Sequence, residues 1–138
     1  MEKFSDIKLP EEKLKKLGVG LVYLFGSRAE GTAGPSSDFD VGLVFSDPAM
    51  LRGDTPGLYQ SLYEIFSDTF DLSGFRSVDI VFLEQASLEL RFDAISHGAV
   101  LFEISPEFRE KFEERVEALY RDFKPILREF DRAILERI

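Results

Sequence analysis

The sequence contains no cysteine and no tryptophan, and its only histidine is His97. Without cysteine the chain has neither a disulfide framework nor thiol chemistry. His97 stands at the end of a predicted helix, immediately before Gly98. The helix dipole and solvent explain a histidine there better than catalysis does.

Basic residues are also scarce. The chain has 17 lysines and arginines and 26 aspartates and glutamates, which gives a net charge of −9. An enzyme that grips a long DNA or RNA usually needs a basic face, so this balance argues against direct nucleic-acid binding. A protein or small-molecule acceptor is favoured instead. No stretch resembles a signal peptide or a membrane span, and we therefore expect a cytoplasmic protein that does not contact a membrane.

The length of 138 residues suits one domain with a real core and is too short for two ordinary domains. Predicted strands and helices alternate, which indicates an α/β or α+β domain with a small mixed sheet flanked by helices. We predict a single domain over residues 1–138, in which residues 106–138 form a helical extension. The predicted elements are a helix at 10–17, strands at 19–25 and 41–45, a loop at 46–57, a helix at 58–72, a strand at 77–82, a helix at 87–97 and an edge strand at 99–102.

The C-terminal segment has apolar residues at spacings of three and four, as an amphipathic helix does. Pro125 is predicted to kink or break this helix. A second apolar stripe follows Pro125. It is predicted to close the core, and the alternative is that it lies on a partner protein.

Three aspartates are candidates for metal binding. Asp38 and Asp40 open the second strand at positions i and i+2, so both project from one face while the apolar residues between and after them point to the other. Asp79 occupies the centre of a later strand. Pairing of the two strands would bring three carboxylates together, and they would repel one another unless a cation lay among them. An open cluster of aspartates suits magnesium.

A glycine and two polar residues follow the first strand and could bind phosphate. Gly26 lets a phosphate approach the backbone, and Ser27 offers a hydroxyl and neighbouring N–H groups at a predicted helix start. Arg28 could neutralise phosphate charge, although an arginine on an exposed turn is more often solvated. Phosphate and metal would therefore meet in one place.

The sequence resembles the nucleotidyltransferases of the DNA polymerase β superfamily. The resemblance rests on Gly-Ser followed after ten residues by Asp-x-Asp, and on a third aspartate on a later strand. The motif Leu-Phe-Gly-Ser-Arg-Ala-x-Gly is most similar to that of the minimal nucleotidyltransferase (MNT) group, the antitoxin partners of HEPN-domain toxins. Residues 120–125 also resemble that group. The resemblance implies the polymerase beta-like nucleotidyltransferase fold.

The resemblance further implies a reaction and its residues. Asp38 and Asp40 would hold two Mg²⁺ ions that bridge the phosphates of a nucleoside triphosphate, and Asp79 would ligate one ion and help to deprotonate the acceptor hydroxyl. Gly26 and Ser27 would anchor the β- and γ-phosphates. In the MNT group the substrate is ATP and the acceptor is a tyrosine hydroxyl of the HEPN ribonuclease toxin, so the implied function is an antitoxin that silences its partner by AMPylation.

Two alternatives remain open at this point. Glu30 stands where many relatives carry a basic residue, and together with the apolar C-terminal helix it favours an antitoxin that neutralises by binding without chemistry. Nucleotide transfer to a small molecule such as an aminoglycoside would use the same site. That reaction, however, would need an additional domain to bind the drug.

Overall fold

The computed structural model of the protein describes residues 7–26, 38–70, 72 and 77–136. These residues form a four-stranded sheet with helices on both faces, which confirms the predicted α+β class. The elements are α1 (Glu11–Lys16), β1 (Val19–Phe25), β2 (Phe39–Phe45), a 3₁₀ helix (Pro48–Arg52), α2 (Thr55–Thr69), β3 (Val78–Phe82), a second 3₁₀ turn (Leu83–Gln85), α3 (Leu88–His97), β4 (Ala99–Glu103) and α4 (Pro106–Glu136).

The sheet has the strand order β3-β2-β1-β4 and is mixed. β1 runs antiparallel to both β2 and β4, whereas β2 and β3 run parallel. β4 therefore lies at an edge, as predicted. A parallel pair needs a crossover connection, and α2 lies in the segment that provides it.

The central strand β1 is buried at all seven positions because each of its faces meets a separate layer of helices. On one face Val22 and Leu24 belong to a cluster that also contains Leu62 and Phe66 of α2. On the other face Tyr23 packs in a cluster with side chains of α3 and α4. Burial on both faces explains why β1 is an uninterrupted apolar run rather than an alternating one.

The loop predicted at residues 46–57 is wrong in part. Pro48–Arg52 form a 3₁₀ helix, capped by the Asp47 carboxylate, which accepts a hydrogen bond from the Ala49 N–H at 3.1 Å. Asp54 caps α2 in the same way, accepting from the Gly57 N–H at 3.0 Å. The cap lets α2 begin at Thr55, ahead of the first apolar residue of the helical pattern.

The same helix also ends earlier than the predicted limit of residue 72. α2 stops at Thr69, and Phe70 takes an extended conformation. In that position the Phe70 ring stacks on Phe39 of β2, with 4.5 Å between ring centroids. Packing against the sheet therefore overrides the helical periodicity at this end.

Both predicted signals at the ends of α3 are confirmed. The Ser87 hydroxyl accepts a hydrogen bond from the Leu90 N–H at 3.2 Å and so caps the helix. At the other end Gly98 donates its N–H to the Ala94 carbonyl at 2.9 Å. A Cβ on Gly98 would overlap that carbonyl oxygen, so glycine is required for the close approach of the chain.

Pro125 was predicted to kink or break α4. The break does not occur, because the helix is continuous from Pro106 to Glu136, and the kink stays a prediction. Proline removes one backbone hydrogen bond, but its fixed φ is compatible with a helical conformation. No described helix is both long enough and apolar enough to cross a membrane.

The prediction that the last apolar stripe closes the core is also wrong. Phe112 and Val116, in the first half of α4, are buried against the sheet. In the second half, Ile126 is 61% exposed, Phe130 66% and Ile134 47%. The helix simply extends beyond the sheet that its first half covers.

Candidate active site

Two of the predicted acidic residues are direct neighbours in the sheet. Asp40 of β2 and Asp79 of β3 are partners in the parallel ladder. The alternate residues Phe39, Val41 and Leu43 are buried in the core, so Asp40 points to the opposite face, as the i, i+2 spacing predicts. The pairing of Asp79 with the Asp-x-Asp strand is therefore confirmed.

Asp38 lies just before β2 and is exposed. Its Oδ1 accepts a hydrogen bond from the backbone N–H of Ser77 at 3.1 Å, and the Phe39 N–H donates to the Ser77 carbonyl at 2.9 Å. These two bonds join the entrances of β2 and β3. They fix the register that places Asp40 opposite Asp79.

Asp40 is a partly buried carboxylate whose charged neighbours are two other carboxylates. Burial raises the pKa of Asp40, and the negative charges of Asp79 and then Asp38 raise it further. Among the described residues no cation offsets this effect. The site therefore concentrates negative charge that only a positive group from outside the described residues can neutralise.

Gly26 completes this corner of the sheet. Its φ of +73° lies in the left-handed region, and Phe25, the residue before it, pairs with Asp40 across the sheet. A Cβ on Gly26 would overlap the Oδ2 atom of Asp40. Glycine thus permits the left-handed turn and leaves the position of a Cβ to the Asp40 carboxylate.

The donor chemistry of this corner fits a hard divalent cation, because carboxylate oxygens without a basic partner are the ligands that magnesium prefers. Among the described residues no three acidic or histidine side chains are already arranged as a metal shell. The fit therefore rests on Asp40 and Asp79 and on the repulsion between them. The assignment of all three aspartates as ligands stays a prediction.

Some predicted residues lie outside the described part of the chain. Ser27 and Arg28, predicted to bind phosphate, are among them, and so is Glu30. Their assignments stay predictions.

Sequence reasoning missed Ser77, whose backbone makes both bonds that align the two acidic strands. Its place two residues before Asp79 was the only available signal. His97, by contrast, behaves as predicted. It is exposed, and its Nδ1 lies 3.1 Å from Asp93 on the same helix.

A comparison with protein-family models identifies the family. The model for polymerase beta nucleotidyltransferases matches residues 9–107, which include β1, β2 and β3 with Gly26, Asp40 and Asp79. The chain belongs to this family. The family fold expected from the Gly-Ser and Asp-x-Asp motifs is thereby confirmed.

Solved structures give the same answer for the fold. A chain in the crystal structure of a toxin–antitoxin with AMP-PNP is 24% identical, with a TM-score of 0.64, and the match covers 92% of this chain and 99% of that one. A chain in a mutant of the toxin–antitoxin MntA-HpeT is 25% identical, with a TM-score of 0.62, and the match covers 93% and 99%.

A third similar chain comes from a rebuilt structure of the tri-AMPylated Shewanella oneidensis HEPN toxin in complex with its MNT antitoxin. It is 20% identical, with a TM-score of 0.55, and the match covers 91% of this chain and 95% of that one. No curated protein sequence matches the chain. The similarity to solved structures therefore extends over nearly the whole nucleotidyltransferase.

Proposed function

We propose that this nucleotidyltransferase is an MNT-type antitoxin that transfers AMP from ATP to a tyrosine hydroxyl of a HEPN ribonuclease toxin, with pyrophosphate as the leaving group. The observation that carries the proposal is the pair of adjacent carboxylates, Asp40 and Asp79, which no cation neutralises among the described residues, beside the turn at Gly26. Similar chains occur in toxin–antitoxin structures, one with AMP-PNP and one with an AMPylated toxin, which supports both the nucleotide and the acceptor.

In this proposal Asp38, Asp40 and Asp79 hold two magnesium ions. When bound, these ions neutralise the phosphates and make the α-phosphorus easier to attack. Asp40, the most buried charge of the site, orients the nucleotide. Asp79 is exposed and so can meet the incoming hydroxyl and accept its proton.

The phosphate-binding residues would be Gly26, Ser27 and Arg28. Gly26 has no side chain and lies against the Asp40 carboxylate, so its backbone would meet a phosphate next to a cation held by Asp40. Ser27 and Arg28 would contact the outer phosphates. We further propose that residues 1–138 act as one domain with residues 106–138 as its extension, and that the protein works in the cytoplasm, where ATP is available.

The transfer reaction can be tested directly. The purified protein is incubated with ATP radiolabelled at the α-phosphate, Mg²⁺ and its cognate HEPN toxin, and label is expected on the toxin. Asp40→Asn should abolish labelling, whereas Asp68→Asn, an exposed aspartate of α2, should not. Equal labelling by wild type and Asp40→Asn would contradict the proposal.

A second candidate is an antitoxin that neutralises by binding alone, and the exposed apolar stripe on α4 favours it. This candidate predicts that Asp79→Asn protects cells from the toxin as well as wild type does. Loss of protection by Asp79→Asn, with the protein still expressed and folded, would exclude it.

A further inference from the structure

A cleft lies between α3 and α4. Its volume is about 490 Å³, within the usual range of small-molecule sites. The rings of Phe92 on α3 and Tyr120 on α4 line it. They stack on each other with their centroids 3.8 Å apart and an angle of 3° between their planes. The cleft therefore offers a flat aromatic surface, on which a planar ring of a ligand can stack in turn.

Three basic side chains of α4 line the same cleft, namely Arg121, Lys124 and Arg128. All three are exposed, and none forms an ion pair with another described residue, although the protein carries a net charge of −9. Glu117 is the one acidic residue among the described residues that line the cleft. The cleft is therefore locally positive on an acidic protein, and it favours an anion.

The two arginines suit an oxyanion in particular. A guanidinium group donates two parallel hydrogen bonds to a phosphate or a carboxylate, which a compact ammonium group does not. Arg121 and Arg128 are seven residues apart, or about 10.5 Å along the helix axis, and they share one face of the helix. Their long side chains can therefore converge on one anionic group between them.

Lys124 does not close the aromatic surface. Its Nζ lies 5.9 Å from the centre of the Tyr120 ring, near the outer limit of a cation–π contact. The ammonium group is carried by a flexible, exposed stem. A ring that stacks on Tyr120 therefore displaces it at little cost.

Pro125 adds a hydrogen-bond acceptor to the cleft. Proline has no N–H, so the Arg121 carbonyl lacks the donor that a regular helix supplies four residues later. Arg121 and Pro125 both line the cleft. A ligand that carries an N–H group can donate to this carbonyl.

The cleft is separate from the acidic pair. The Phe108 ring lies against Gly20 near the start of β1, and Glu113 accepts a hydrogen bond from Tyr23 further along that strand. α4 therefore follows β1 in the same direction, and the cleft lies toward the C-terminal end of β1, on the face to which Asp40 points. Its cations nevertheless do not lower the pKa of Asp40, which burial and two neighbouring carboxylates raise.

We infer that this cleft is a nucleotide-binding site, separate from the candidate active site, that takes a nucleoside phosphate without a metal ion. The base stacks on Tyr120 and donates an amino N–H to the Arg121 carbonyl, while the phosphate binds the Arg121 and Arg128 side chains. Inorganic phosphate or an acidic peptide would engage the cations and leave the rings and the carbonyl unused. AMP is a small probe that engages all three features. This inference does not depend on the proposed function.

The test is a calorimetric titration of the full-length protein with AMP in the presence of EDTA. Arg121→Glu together with Arg128→Glu should raise Kd by about 30-fold or more, because two charge-assisted contacts become repulsive. Lys111→Glu together with Arg115→Glu reverses two exposed charges in the first half of the same helix and serves as the matched control. The control should leave Kd within about threefold of wild type.

The aromatic contribution is tested by Tyr120→Leu, which should raise Kd by about tenfold. Tyr120→Phe keeps the ring and should bind AMP within about twofold of wild type. Thermal unfolding of each variant separates a lost ring contact from a lost fold. Inorganic phosphate should bind wild type at least about tenfold more weakly than AMP, since it has no base.

The inference is overturned if wild type does not bind millimolar AMP in EDTA, if inorganic phosphate binds as tightly, or if the double arginine variant binds like wild type. It is also overturned if Asp40→Asn, rather than the double arginine variant, changes AMP binding, because the ligand would then occupy the candidate active site. Binding of a single-stranded RNA oligonucleotide but not of AMP would assign the cleft to a nucleic-acid strand instead. A protein that binds AMP at the cleft but transfers no AMP to a toxin would keep this inference and lose the proposed function.

Discussion

Two acidic clusters on the same sheet differ in how their charges are satisfied. Glu103 and Glu113 both accept hydrogen bonds from the Arg109 guanidinium, and Glu113 also accepts one from the Tyr23 hydroxyl at 2.7 Å. Burial and this hydrogen bond raise the pKa of Tyr23, which keeps the hydroxyl protonated as a donor. This cluster ties β1, β4 and α4 together.

The other cluster, at Asp40 and Asp79, has the opposite character. No cation contributes to its electrostatics among the described residues, and burial and repulsion raise the pKa of Asp40. A cluster that exists only for stability would contain its own counter-charge, as the cluster at Arg109 does. The contrast indicates that Glu103 and Glu113 stabilise the fold, whereas Asp40 and Asp79 are available to bind a ligand.

The largest expected effect is on catalysis. Asp40→Asn should lower the rate of AMP transfer by about 1000-fold, because it removes a charge that the reaction needs. The same change should leave the free energy of unfolding equal or higher, since it relieves repulsion with Asp79. Single-turnover kinetics and urea denaturation measure the two quantities. Strong destabilisation by Asp40→Asn would show that the cluster at Asp40 stabilises the fold as the cluster at Arg109 does.

The next effect is on stability. Glu113→Ala should lower the free energy of unfolding by about 2 kcal/mol, because it leaves the Tyr23 hydroxyl and part of Arg109 without a partner. Glu114→Ala, its exposed neighbour, should cost much less. The rate of AMP transfer at saturating toxin and ATP should stay within about threefold of wild type in both. Loss of that activity in Glu113→Ala without loss of stability would contradict the structural role.

Gly26→Ala should affect both properties. The left-handed φ costs about 1–2 kcal/mol for a residue with a Cβ, and the added methyl group displaces the Asp40 carboxylate. The Kd for AMP-PNP should rise together with the loss of stability. Gly53→Ala is the control, because its φ is negative and a Cβ there meets nothing closer than 3.9 Å. Equal behaviour of the two variants would show that the corner at Gly26 has no special requirement.

The smallest effect is a pH dependence. The folded pKa of Asp40 is raised above the ordinary value of 3.8, so between these two values the folded state binds more protons than the unfolded state. The contribution of Asp40 to stability therefore falls as pH rises through this window and recovers as pH drops. Asp40→Asn should be more stable relative to wild type at neutral pH than at about pH 3. Denaturation curves across this range check the sign, and Mg²⁺ should reduce the difference.

The sequence predicted the strands well because their burial leaves a clear apolar signal. β1 is buried at every position and was placed at its true limits, and the i, i+2 spacing correctly put Asp40 opposite the core. Asp79 could be assigned to the same corner because a carboxylate within an apolar strand requires a partner. These features depend on local periodicity and on elementary charge repulsion.

The errors lie where long-range packing decides the structure. Phe70 lies just after the last residue of α2 and stacks on Phe39. The apolar periodicity around Phe70 contains no information about Phe39, which is distant in sequence. The apolar stripe beyond Pro125 has the pattern of a core helix, yet the sheet ends before it. The role of Ser77 was equally hidden, because its backbone and not its side chain makes the contacts.

The parallel arrangement of β2 and β3 has a consequence for the folding of the site. Asp40 and Asp79 become neighbours only after the long connection between them has closed. Closing this connection costs more chain entropy than forming the nearer pair of β1 and β2. The repulsion between Asp40 and Asp79 adds to that cost, and a cation that binds the pair would reduce it without influencing the pairing of β1 with β2.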